Sequence, residues 1–86
     1  MKFQGALIKE QGQSFAIVVA KPQILQSSSE INSARGFFSQ VFPAVPIVLM
    51  AQDNRGTPTF QGRTDIVNFL TKISISAIPW KEYTYN

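Results

Sequence analysis

The chain alternates between short runs rich in β-branched and aromatic residues and short polar punctuation. Lys2 to Lys9 (KFQGALIK) alternates in part, with Phe3 and Leu7 on one face and Ala6 and Ile8 on the other. A polar link with one glycine, Glu10-Gln11-Gly12-Gln13, leads into Ser14 to Ala20 (SFAIVVA). Two such runs joined by a short Gly-containing link predict a hairpin. In the second run Ala16, Val18 and Ala20 occupy one face and Phe15, Ile17 and Val19 the other. Apolar residues on both faces predict a central strand, and Lys21-Pro22 ends it, because proline gives no donor to a central ladder.

The period then changes. Ser27 with Glu30 three positions later forms a capping box, and Ile31, Ala34, Phe37 or Phe38, Val41 and Phe42 follow at helical spacing. A helix is predicted over 28–41, stopped by Phe42-Pro43 because the residue before proline avoids the α region. Gly36 costs that helix about 1 kcal/mol against alanine and suggests a close approach to the sheet. Residues 46–52 (PIVLMAQ) form a second buried strand, Asp53-Asn54-Arg55-Gly56 a turn, and 57–61 (TPTFQ) a return strand that Pro58 moves towards a sheet edge. Thr64 is placed as the cap of a second helix, with Asp65 in the first turn, an apolar stripe from Ile66 to Ile73, and Lys72 in the last turn. The tail from Ser74 to Asn86 carries Trp80, Tyr83 and Tyr85 and is too aromatic for a disordered segment. It is expected to pack as an edge strand or an extended arm.

The order is ββαββα with a C-terminal extended segment. The fold class that follows is α+β: four or five mostly antiparallel strands with two helices on one face. At 86 residues the whole chain, 1–86, reads as a single domain. The chain has no cysteine and no histidine. Disulfides, a structural zinc site, thiol chemistry and imidazole catalysis are therefore excluded. Charged residues make up 15% of the chain against a usual ~25%, which leaves much of the surface to neutral and apolar groups and points to a subunit interface.

The five acids offer little for acid–base work. Glu30 is assigned to capping, Asp53 to a turn and Asp65 to a helix start, leaving Glu10 and Glu82. Gly56 and Gly62 form neither a Walker loop nor a dinucleotide fingerprint. No metal, no cofactor and no enzymatic activity are expected. The eight basic residues are scattered with no run of two, which argues against a nucleic-acid stripe. No signal peptide or membrane-length apolar stretch is read, and a cytoplasmic, non-membrane protein is the expectation.

The stretch 44–72 resembles the second half of thioredoxin-like domains, glutaredoxins and the N-terminal domain of glutathione transferases above all. The shared features are Val45-Pro46 opening a strand, Gly56 in the turn, Gly62 before the helix, and Asp65-Ile66-Val67-Asn68-Phe69-Leu70. The resemblance implies a cis Pro46 with the Val45 backbone facing a ligand groove. It further implies that Arg63, Thr64 and Asp65 lie where the family holds the glutathione carboxylate. Without cysteine, redox activity is not part of that implication, and a degenerate thioredoxin-like domain is the alternative fold.

Three functional expectations follow. The first is a non-catalytic interaction module that binds itself or another protein, with Trp80, Tyr83 and Tyr85 as interface candidates. Tyr83 and Tyr85 share one strand face opposite Trp80, so at least one set is expected to be exposed or in an interface. The second is a small-ligand or anion site at Val45, Pro46, Gly62, Arg63, Thr64 and Asp65. The third is a weak nucleic-acid surface made by Arg55, Arg63, Trp80 and Lys81, if these share a face.

Overall fold

A computed structural model describes residues 1–10 and 12–85. The strands are β1 (Lys2–Glu10), β2 (Gln13–Val19), β3 (Ile47–Gln52), β4 (Pro58–Gln61) and β5 (Lys81–Thr84), and the helices are α1 (Ser28–Val41) and α2 (Thr64–Leu70). Short 3-10 segments at Pro22–Gln26 and Ile75–Ala77 link them. The five strands form one sheet in the order β4-β3-β2-β1-β5. The expected α+β class, the mostly antiparallel sheet and the two helices are all present. Three ladders are antiparallel, and β2 with β3, joined through α1, is parallel.

The expected hairpin is β1–β2, paired from Gly5 with Val18 to Glu10 with Gln13. Gly12 supplies the left-handed turn conformation at φ 79°. Gln11 of the linking segment, like Asn86 of the tail, lies outside the described residues. β2 is the middle strand, as its two apolar faces require. The tail takes the edge-strand option: β5 pairs antiparallel with β1, from Lys2 with Thr84 to Gly5 with Lys81.

One expectation about the layers is corrected. The helices do not share a face. Ala16, Val18, Ile47 and Leu49 point to α1 and pack with Phe3, Phe38 and Phe42. Phe15, Ile17, Val48 and Met50 point the other way and pack with Ile66 and Leu70 of α2 and with Ile78. Strand residues alternate between faces, so two wholly apolar strands need a cover on each side.

The helix ends show local corrections. Ser27 caps α1 by accepting from Glu30 N at 3.3 Å, but the box is half built, because Ser27 N donates to Ile24 O at 3.3 Å instead. Gly36 is exposed with nothing within 4 Å of where its Cβ would stand, so it serves no close approach. The cap of α2 is Arg63, with no side-chain bond, and Thr64 is the first helical residue. That helix ends at Leu70, so Lys72 lies beyond its last turn.

Candidate functional site

The residues expected to bind a ligand gather at one end of the sheet. Val45 and Pro46 precede β3, and Gly62 to Asp65 follow β4, whose residue Gln61 pairs with Leu49. Gly62 is needed there: a Cβ would stand 3.0 Å from Val48 Cγ2 and 3.3 Å from its Cα. The geometry departs from what the resemblance implies. No peptide bond among the described residues is cis, so Pro46 is trans. Its carbonyl accepts from Ala16 N at 2.9 Å, extending the parallel ladder, and Val45 packs on the α1-face core. Both groups are committed to the fold.

Arg63 is committed as well. Its Nε donates to Asp65 Oδ1 and its Nη2 to Asp65 Oδ2, each at 2.8 Å. This fork on a carboxylate is the strongest common ion-pair geometry. The hydrogen bonds from Arg63 hold the exposed Asp65 carboxyl down at about 2 from its ordinary 3.8. An incoming carboxylate would have to displace Asp65 to reach the guanidinium. The Asp65 side also borders a recess of about 220 Å³ formed by Phe15, Ile66 and Phe69 with Glu10.

Sequence reading passed over Arg35, the cation that binds this end together. From the middle of α1 it donates through Nε to Ile47 O at 3.4 Å and through Nη2 to Gln61 O at 3.0 Å. The Gln61 side-chain oxygen accepts from the same Nη2. One guanidinium thus joins α1 to β3 and β4.

The aromatic candidates close the two cores. Tyr83 stacks on Phe3 at 5.4 Å between centroids and meets Phe42 edge-on at 5.1 Å. Tyr85 meets Phe37 edge-on at 5.3 Å. Trp80 packs on the opposite core and donates from Nε1 to Ile75 O at 3.0 Å. All three are half-buried. The expectation for these residues rested on the opposite strand faces of Trp80 and the two tyrosines. With a helix on each face, both sets find a core.

The basic candidates do not form one surface. Arg55 lies in the β3–β4 turn and Arg63 at the other end of β4, while Lys81 lies on β5 at the far edge of the sheet. Four strand spacings separate those edges, on the order of 19 Å. Among the described residues no group of acids could hold a metal ion, and no helix is long and apolar enough to cross a membrane.

A second concave feature lies elsewhere. An open groove of about 670 Å³ lies at the opposite end of the sheet. One wall is the start of β1 and the end of β2 with the chain beyond it. The other is a single face of α1, residues 30, 33, 34, 37 and 38, the spacing of one helical stripe. Phe38 packs on both Phe3 and Phe37, with centroids 4.9 Å and 5.1 Å away, and the three give the groove an aromatic lining. Met1 and Val19 are among its lining residues, with 61% and 36% of their surface exposed. Val19 borders the groove at the end of β2, but its side chain continues the Phe15 and Ile17 side of that strand, so Met1 is the large exposed apolar side chain within the groove. Comparison with protein-family models, curated proteins and solved structures finds no match to this chain.

Proposed function

We propose that this chain is a non-catalytic interaction module that associates with itself. The observation that supports it is the groove, with an aromatic lining and Met1 exposed within it. Soluble domains seldom leave a contiguous apolar concavity open unless something covers it. The low charged fraction of 15% agrees with a surface part of which is meant to be buried. Asp53 holds a turn, and Asp65 and Glu82 pair with Arg63 and Lys2, which gives no support to acid–base chemistry. Size-exclusion chromatography with light scattering at high micromolar concentration tests the reading. A dimer or higher assembly is expected, and a clean monomer removes self-association.

A further inference from the structure

The groove's two walls carry opposite charges. Lys21 stands just past β2 on the strand wall, and Glu30 stands in the first turn of α1 on the helix wall. Neither forms an ion pair among the described residues, whereas Lys2, the other cation of the strand wall, already stands 4.0 Å from Glu82. The Glu30 carboxylate is also spared its expected capping duty, because Ser27 N is bonded to Ile24 O. Between the two charges lie Ala34 and the aromatic lining. The result is an apolar centre with a polar rim, the usual anatomy of a protein interface.

We infer that this groove is the face of a two-fold dimer, in which Lys21 of each copy meets Glu30 of the other. The inference rests on the self-association reading and names its surface and its partner, a second copy of this chain. A two-fold interface sets one patch against its own copy. A patch of single sign would then repel itself. A patch positive on one wall and negative on the other attracts its copy, because the rotation carries the strand wall of one chain over the helix wall of its partner. The exposed Met1 supplies the apolar side chain that enters between the walls.

Charge exchange in the full chain tests this. K21E puts an acid at both positions of the pair, and E30K puts a base at both. Each variant alone opposes like charges across the axis and is expected to weaken dimerisation at least about tenfold. An equimolar mixture of the two re-forms a dimer by light scattering, because each acid again meets a base. A34E, on the helix wall, is expected to abolish association, and mixing does not restore it. Both charged positions are exposed, and an unchanged circular dichroism spectrum confirms the fold. If the wild type dimerises and K21E, E30K and A34E dimerise equally well, the groove is not the interface, though self-association stands. If the mixture stays monomeric, the Lys21–Glu30 pairing is wrong. A monomeric wild type overturns the self-association reading itself.

Discussion

Gly5 lies between two ladders, paired with Val18 on one side and Lys81 on the other. A Cβ at that position would stand 2.8 Å from Ile17 O, a backbone atom that cannot swing aside. Gly5→Ala is therefore expected to destabilise the fold by about 1–3 kcal/mol, the usual cost of overpacking. The check is a lower urea midpoint with an unchanged slope. In an unconstrained strand the same substitution stabilises by reducing the freedom of the unfolded chain, so a raised midpoint would refute the close contact. The sequence holds no sign of this, because Gly5 reads only as a gap in an alternating run. Asp53 was more legible: its Oδ1 accepts from Arg55 N at 2.8 Å and Thr57 N at 2.9 Å, the turn role that its neighbours suggested. Asp65 was half legible, for its place at the helix start but not for its pairing with Arg63. Its depressed pKa means that it stabilises the fold above its ordinary value of 3.8 and loses that contribution as pH falls through about 2. In a carboxyl NMR titration the Asp65 midpoint is expected near 2, and Arg63→Gln should return it towards 3.8.

At the scale of elements, the bounds of α1 were readable from its ends, the serine cap and the Phe42-Pro43 stop. What α1 docks on was not. Arg35 falls on the helix as an ordinary polar residue, and only the β3–β4 register brings Ile47 O and Gln61 O within its reach. Hydrogen bonds from a charged donor are worth about 1.5–3 kcal/mol. Arg35→Leu should cost about that much in urea denaturation. Arg35→Lys should recover only part, because a single ammonium cannot reproduce a planar fork spanning two strands. Full recovery by lysine would mean that charge alone, without the fork, holds α1 in place. The end of α2 was overrun because Ile73 fits the helical period, yet it packs on the α2-face core from beyond the helix. Hydrophobic period reports which side is buried and not where the hydrogen bonds stop.

The whole molecule turns on β2 and β3, which send alternate side chains to two different cores. The sequence displayed this in the two apolar faces of Phe15 to Val18. Placing both helices on one side left one of those faces without a cover. The groove was harder to read, because its walls are far apart along the chain and join only through the β1–β2 pairing and the course of α1. A shared sheet also makes a thermodynamic prediction. Val18 is fully buried in the α1-face core, whereas Trp80, the single tryptophan, packs on the α2-face core. Val18→Ala removes two methyl groups, about 0.8 kcal/mol each by transfer, and adds a cavity term, for a total of about 2 kcal/mol. Its backbone belongs to the strand that also carries Ile17 into the other core, so the loss cannot be confined to one face. In urea, Trp80 fluorescence and far-ultraviolet circular dichroism are expected to shift to the same lower midpoint in the variant, as in a two-state domain. If the Trp80 midpoint stays in place while the circular dichroism midpoint falls, the two layers unfold separately and the sheet does not couple them.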